Sequence, residues 1–559
     1  MAESENLKKL KRILGRTADL IRESDGSSDP IQVSDMRQKV AAMDIATFNI
    51  DSNHVLNGHT VVNGTADPST PEDTADYYRK LLTNFANKVR VGSDKLNIDQ
   101  IEEQENLVCG VHKVDNKYGL TIPEGVTSIG FNAFLNKTAL TSINLPESVK
   151  SISGSAFKGC TNLISVDLPD NLTTIWGNAF ANCSSLTSVS LPDNLAHLYD
   201  EAFSGCKSLA SITIPEGITE IGFATFKNCS KLTSISLPNN LVSIKWSAFD
   251  GCSSLTSIMI PEDVATIGET AFANCSSLTS ITIPSSVTSI GSMAFAKCGS
   301  LASVTVDEGN TIFDSRDNCN AIIRTQDNTL LYGCKTTIIP NTIKAIGDYA
   351  FEGIKELSSI TLPDGLITIS RDAFSGTGLV ELIIPDSVVS IDFSAFSSCN
   401  QISNNLIIPN GITKIERFTF YGCSSLPSVK LPDSITEIGA SAFEDCQSMA
   451  SINLPSNLKI IDDDAFMGCS SLTSIKIPKS VMEIGTRAFK TEASGEFKID
   501  FDGTIEELRN KNFEWIVDED DELSIIDPDK VHYIHCDDGD YEIPRGGGSG
   551  SGSGSGSEY

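Results

Sequence analysis

The sequence predicts an α/β repeat solenoid of about sixteen 23-residue coils, preceded by a small helical N-terminal region. Three observations carry this. Pro123, Pro146, Pro169, Pro192, Pro215, Pro238, Pro261 and Pro284 follow one another at 23-residue intervals, and the series resumes from Pro340 to Pro478 with spacings of 22 to 24. Each proline sits in a unit of the form L-x-S-I-x-I-P-x-x-[VI]-x-x-I-G-x-x-A-F-x-x-C, as from Leu232 to Cys252. Most of the 25 phenylalanines occupy the A-F position of that unit.

In chain order, residues 1–49 come first. Leu7, Leu10, Ile13, Leu14, Leu20 and Ile21 mark an amphipathic helix over residues 4–23, and a second helix is expected from Asp35 to Met43. This segment is expected to attach or oligomerise. Residues 50–110 read as a linker rich in Asn, Thr, Asp and Gly, followed by a helix from Ala75 to Val89 that leads into the array.

The repeats occupy residues 111–490. Leu and Ile alternating with Ser and Thr predict a short strand, which Pro stops because it cannot donate to the ladder. A second apolar pair turns inward, and A-F is expected to form a tight helical turn. Each coil then points about five apolar groups inward, with no second layer of its own to bury them, so neighbours must stack. Phe134, Phe157 and their counterparts through Phe489 are expected to form one continuous internal column. At about 4.7–4.9 Å per strand the rod would be about 75–80 Å long. One coil carries Asp307 in place of Pro, and the next is too long by a hairpin from Ala321 to Gly333, with Gln326, Asp327 and Asn328 at its turn. Residues 491–544 form an acidic cap, with 15 acidic and 3 basic residues between 501 and 542, and residues 545–559 are a Gly/Ser tail.

Charge bounds the partners. Forty-two Lys and Arg against 73 Asp and Glu leave −31, which excludes a broad phosphate-neutralising surface and hence nucleic acid. No run approaches the 18 apolar residues of a spanning helix, so no membrane insertion is expected. The first residues lack the apolar core of a secretory signal, which places the start of the chain's life in the cytoplasm.

Eleven of the 15 cysteines, at Cys160, Cys183, Cys206, Cys229, Cys252, Cys275, Cys298, Cys399, Cys423, Cys446 and Cys469, share one place in the coil and read as buried apolar packing in thiol form. Cys109, Cys319, Cys334 and Cys536 fall outside the ladder. His532, His535 and Cys536, near Asp537, Asp538 and Asp540, are the one cluster to weigh as a metal site. The odd offset of the two histidines sends them to opposite faces of a strand, so no metal and no cofactor are assigned. Phosphate-cradling loops, H-E-x-x-H and a nucleophile elbow in strand–turn–helix context are all missing, so the chain is read as a non-enzyme.

Three rows could bind. Serines four before Pro, among them Ser142, Ser165, Ser188, Ser211 and Ser234, make a hydroxyl strip beside the variable Asn144, Asp167, Ser190, Thr213, Ser236, Met259 and Thr282. The strip is a solvated face copied with the repeat or, alternatively, a binding surface. Phe131, Trp176, Tyr199, Phe223, Trp246 and Phe393 stand just before the A-F turn, where large aromatics are hot-spot candidates, the alternative being that they lean on the neighbouring coil. Acidic residues after Pro (Glu124, Glu147, Asp170, Asp193, Glu216, Glu262) serve the turn and solubility.

The unit, with the NAIIRTQDNTLLYGC insertion, resembles the BspA-like leucine-rich repeats of bacterial and protist surface proteins over about residues 115–490. The closing FDGTIEELRNKNFEW…VHYIHCDDGD is similar to a segment that caps such arrays in gut bacteria. That resemblance implies a protein-interaction or adhesion role without a shared catalytic site. LGRTADLIRESDGSSDPIQVSDMRQKVAAM resembles a short helical segment of tail and other structural proteins of phages and prophages. The leading expectation is therefore a virion-associated recognition protein, a tail or head fibre component assembled in the host cytoplasm. Residues 1–49 would contact other virion proteins, with a homo-oligomer possible, and the rod would meet a protein or glycan on a host or mucosal cell surface. The competing reading is a bacterial or protist cell-surface adhesin, and a weaker third is a structural spacer.

Overall fold

The computed structural model describes residues 111–114, 117–122, 126–490, 497–511, 513, 524–526 and 531–543. The helices expected within residues 1–49, the linker and helix of residues 50–110, Cys109, Glu124 and the Gly/Ser tail lie outside the described residues. The chain divides into two units, Met1–Ala271 and Phe272–Tyr559.

In the first unit, the Ser-Ile-x strands at Leu140–Asn144, Ser165–Asp167, Ser188–Val189, Ser211–Thr213 and Ser234–Ser236 stack in parallel, each strand against its counterpart in the next coil. Register follows the repeat: Ser142 faces Ser165, Ile143 faces Val166, and Ser211 faces Ser234. At the start, Lys117–Thr121 pairs with Leu140–Asn144 in parallel and with Val111–Val114 antiparallel. The second apolar pair does more than turn inward. It builds a second parallel ladder, from Ser128–Ile129, Ser151–Ile152, Thr174–Ile175 and His197–Leu198, and again from Glu220–Ile221, Ser243–Ile244 and Thr266–Ile267.

The A-F corner corrects the α/β expectation. Helix is confined, among the described residues, to Ile505–Arg509 and a 3-10 turn at Arg316–Asn318, so the architecture is a β-solenoid. The reason lies in the backbone. Two left-handed residues four apart break each corner: Asn132 and Asn136, Asn178 and Asn182, Glu201 and Gly205. Alternate N–H groups are thereby aimed at the next coil. Asn132, Phe134 and Asn136 donate to Gly154, Ala156 and Lys158 carbonyls, while Ala133, Leu135 and Lys137 donate three residues back within their own coil. A helix would spend all of these donors internally.

Asn and Gly alternate at the second left-handed position: Asn136, Gly159, Asn182, Gly205, Asn228, Gly251. A Cβ on Gly251, whose φ is 77°, would stand 2.5 Å from Asn228 Oδ1. Each asparagine side chain thus fills the space that the glycine of the following coil leaves open, giving the array a two-coil rhythm.

Inside, Phe157, Phe180, Phe203, Phe226 and Phe249 are fully buried. Neighbouring rings from Phe134 to Phe249 lie 5.1 to 5.8 Å apart and within 13° of parallel. Beside them runs the cysteine ladder, fully buried and free of disulfides. It is more than apolar filling. Cys160, Cys183, Cys206 and Cys229 each donate Sγ–H to the Phe carbonyl of the coil before, at 3.1 to 3.2 Å.

The second unit repeats this build, with Phe351 through Phe489 stacked at 5.0 to 5.8 Å. Its column is interrupted, however. Phe295 meets the ring of Tyr332 edge-on at 5.4 Å, and Tyr332 donates its hydroxyl proton to the Gly291 carbonyl. Tyr332 belongs to the inserted hairpin, in which Ile322–Arg324 and Thr329–Tyr332 pair antiparallel. The hairpin is built into the stack: Thr329–Leu330 pair in parallel with Ala345–Ile346, and Ala321, Ile322, Ile323 and Leu330 are fully buried. At the far end Lys498–Asp502 adds to Ser474–Pro478, Tyr533–Cys536 adds to that, and Gly539–Glu542 closes the sheet antiparallel. Helix Ile505–Arg509 starts with a capping box between Thr504 and Glu507.

Candidate binding surfaces

The aromatic row is set where the second ladder ends and the corner begins. Trp176 follows Thr174–Ile175, its N–H donating to the Ile152 carbonyl at 2.9 Å and its own carbonyl accepting from Ala179. Tyr199 repeats this one coil on, donating to Ile175 at 3.0 Å. With both backbones locked, the side chains point outward, and their rings stack at 4.5 Å and 4°. Stacking does not hide them: Trp176 is 45% exposed and Tyr199 39%. His197, on the adjoining strand, brings its ring within 6.0 Å of Tyr199.

Phe223 and Trp246 stand one place further along their coils, because Gly222 and Lys245 take the position after the strand. The Phe223 N–H is held by Asp200 Oδ1 at 2.8 Å. Gly268 lies so close to the Trp246 backbone that a Cβ there would come within 2.6 Å of its nitrogen. Trp246 remains 61% exposed and Phe131 71%, the latter beside Gly154. The first unit therefore carries five of the six aromatics on its surface. Trp176 and Tyr199 lean on each other and still face solvent.

Phe393 differs. It lies in the second unit, half-buried, with the Arg371 guanidinium carbon 4.7 Å and that of Arg417 5.0 Å from its ring centre. Phe418, which the aromatic row omitted because it stands one place later in its coil, is exposed beside Tyr421.

The serine strip lies on the outer face of the first ladder, with Asn144 beside Asp167 and Thr213 beside Ser236 in register. Met259 is nearly fully exposed. In the second unit the same companion position is apolar and open, at Ile338, Ile383 and Ile407. Sequence reasoning missed this aliphatic face, although the residue two before each Pro was its signal.

The turns after Pro are tied from one coil to the next. The carbonyls of Glu147 and Asp170 accept from the Asn171 and Asn194 amides at 3.0 Å, and the Glu216 carboxylate accepts the Asn239 N–H at 3.1 Å. In the closing hairpin His535 Nδ1 lies 2.6 Å from Asp540 Oδ1. Among the described residues, no three His, Cys, Asp or Glu side chains are grouped as metal ligands would be. No described helix is long and apolar enough to cross a membrane.

Burial makes the thiols poor acids. Cys160, Cys229, Cys298 and Cys469 are pushed up to about 12 by desolvation, and Cys206 and Cys446 rise well above their ordinary 9.0 for the same reason. Nucleophilic chemistry from this ladder is accordingly disfavoured.

No curated protein matches the chain. Among solved structures, a leucine rich cell surface protein from Faecalibacterium prausnitzii is 27% identical, with 74% of this chain and 94% of that one covered and a TM-score of 0.42. A leucine-rich repeat protein from Bacteroides ovatus is 29% identical over 72% and 94% of the two chains, with a TM-score of 0.41. The BspA type Leucine rich repeat region family matches residues 113–232, 196–321, 327–407 and 403–516. These spans take in the proline-punctuated coils, the phenylalanine column and the first two strands of the closing sheet, and the chain belongs to the BspA-type leucine-rich repeat family.

Proposed function

We propose that this chain is a non-enzymatic recognition protein that works at a cell surface, binding a protein or glycan through the aromatic row of its first unit. The family supports the class of function, since a repeat stack filled with its own side chains acts through its outside. One observation carries the choice of face: Trp176 and Tyr199 are held in a parallel stack by locked backbones yet stay open to solvent. Large apolar rings kept in water cost free energy, and rigid aromatic anchors are what interaction hot spots use. Replacing Trp176, Tyr199 and Trp246 by Ala together tests this, with binding to mucin-coated surfaces and to epithelial cells as the readout. Loss of binding with an unchanged melting transition is expected; unchanged binding removes this face.

The narrower virion reading rests on the Leu14–Met43 phrase, which lies outside both the described residues and the family match. Its test is deletion of residues 1–43, which should release the protein from particles or lower its oligomeric state.

A further inference from the structure

Given the aromatic row as the binding face, a reading on which this step rests, we infer that the partner of the first unit is a protein that presents cationic side chains, Lys or Arg, to Asp200, Phe223, Trp246 and Glu269. All four residues stand three places before a phenylalanine of the column, in four successive coils. Their backbones are tied in step. The carbonyls of Asp200, Phe223, Trp246 and Glu269 accept from the N–H groups of Asn178, Glu201, Ala224 and Ser247, one coil back, at 2.8 to 2.9 Å. The row therefore runs acid, ring, ring, acid at one coil spacing, with all four residues exposed.

The second unit shows what this position can do. There the row holds Arg371, Phe393 and Arg417, and the guanidinium carbons of the two flanking coils stand 4.7 and 5.0 Å from the Phe393 ring centre. A ring at this place thus takes cations on its faces, and in that unit the chain supplies its own. In the first unit the flanking places carry carboxylates instead. Among the described residues no Lys or Arg of the chain stands over the Phe223 or Trp246 ring, and the rings are 40% and 61% exposed. The basic groups nearby are engaged, Lys245 with Glu220 at 3.3 Å and Lys227 with Asp250 at 2.9 Å. Asp200 Oδ1 accepts the Phe223 N–H at 2.8 Å, and neither Asp200 nor Glu269 has an ion-pair partner among the described residues. Asp200 and Glu269 are three coils apart, about 14 Å, so they serve two separate cations, one at Asp200 and Phe223 and one at Trp246 and Glu269. A basic stretch of protein brings two such groups; a neutral or acidic glycan brings none.

Because a net charge of −31 draws cations in general, variants of single groups decide. The full chain, labelled with 15N-tryptophan, is titrated with a capped Arg-Gly-Gly-Gly-Arg peptide and with its Glu-Gly-Gly-Gly-Glu counterpart. The indole N–H of Trp246 is followed by NMR, and affinity by the anisotropy of rhodamine-labelled peptide. A saturable shift of the Trp246 signal with the arginine peptide is expected, and none with the glutamate peptide. Asp200→Asn, which keeps the acceptor for the Phe223 N–H, and Glu269→Gln should each weaken binding about two- to fivefold. Trp246→Leu should cost a similar factor, about two- to fivefold. Asp193→Asn removes the same charge away from the row and should leave affinity unchanged, with melting temperatures as the check on folding. The double variant Asp200→Asn, Glu269→Gln is then carried into the epithelial-cell assay beside the triple Ala variant, and both should lose binding. Full cell binding by the double variant, with loss in the triple Ala variant, would leave the aromatic face standing and overturn the cationic partner. So would a Trp246 signal that does not move with the arginine peptide, an equal response to both peptides, or an equal loss in Asp193→Asn. Unchanged cell binding by the triple Ala variant removes the face itself and the cationic partner with it.

Discussion

Phe203→Ala measures how the column holds the first unit. Phe203 is fully buried and stacked between Phe180 at 5.4 Å and Phe226 at 5.8 Å. Truncating a buried phenylalanine costs about 3–5 kcal/mol, the spread reflecting how far the site collapses. Collapse is restricted here. The Phe203 N–H donates to the Thr225 carbonyl at 3.0 Å and its carbonyl receives the Cys206 N–H and the Cys229 thiol, so the backbone is tied on both sides. The cost should fall in the upper part of that range. Phe203→Leu keeps most of the apolar volume and loses two ring pairs, about 1–3 kcal/mol at 0.5–1.5 each. Because each coil touches only its neighbours, the damage should be local. Native-state hydrogen exchange, read by mass spectrometry beside urea unfolding, should show protection lost in the Phe203 coil and the coils of Phe180 and Phe226. A cost for the alanine variant below about 1.5 kcal/mol, or a uniform loss of protection from Phe134 to Phe249, would refute the reasoning.

The thiol ladder should be inert in the native protein: iodoacetamide followed by peptide mass spectrometry should leave Cys160, Cys206, Cys229 and Cys446 unmodified until urea unfolds the chain, and early labelling of any of them would contradict their enclosure. Asp372 offers a pH test. Desolvation, then the neighbouring Glu352, raise its carboxyl from 3.8 to about 6 against the pull of Arg371. A folded-state value above the unfolded one means that the folded protein binds the proton more tightly, so this group's contribution to stability falls as pH rises from about 4 through about 6. Asp372→Asn should therefore melt higher than the parent at pH 7.5, with a margin that shrinks towards pH 4. A margin independent of pH would trace to the left-handed backbone, φ 50°, which asparagine also suits, and not to the charge.

Much of the fold was legible because the repeat writes it sixteen times. The Pro interval, the Ser-Ile pattern and the A-F position each correspond to a real feature: the end of the first ladder, the first ladder, and the ring stack. The corner was misread as helical because its decisive residues vary in type. Asn178, Glu201, Ala224 and Ser247 all take positive φ at one position, and only their place in the stack imposes it. The alternation of Asn182, Gly205, Asn228 and Gly251 was visible two residues after each Phe, and is the signal that would have exposed the left-handed position. Two-residue strands such as Thr174–Ile175 fall below what alternation can detect, so the second ladder had no signature of its own. At the candidate sites, spacing placed the six aromatics in one row. It could not show that Phe393 keeps company with two arginines, since those lie 22 and 24 residues away and nothing in either coil alone links them.

That separation bears on how the surface can work. In a stack, one outward position recurs once per coil, so adjacent coils bring equivalent side chains to about one strand spacing, 4.7–4.9 Å, whatever they are. Two rings at one position can then stack, as Trp176 and Tyr199 do, and a ring between two arginines can become a cation–π platform, as Phe393 does. The interior sets the pitch, and the outer residues inherit it without affecting the core, because Trp176 and Phe180 share a coil but face opposite ways. A ligand meeting such a row encounters side chains whose backbone positions are already fixed, which lowers the ordering cost of binding. Chemically different patches can thus stand on one scaffold, provided that each is drawn from consecutive coils. A lone aromatic such as Phe131, with Gly154 at the same position in the next coil, gains no such partner, and it should contribute less to binding than the Trp176–Tyr199 pair despite its greater exposure.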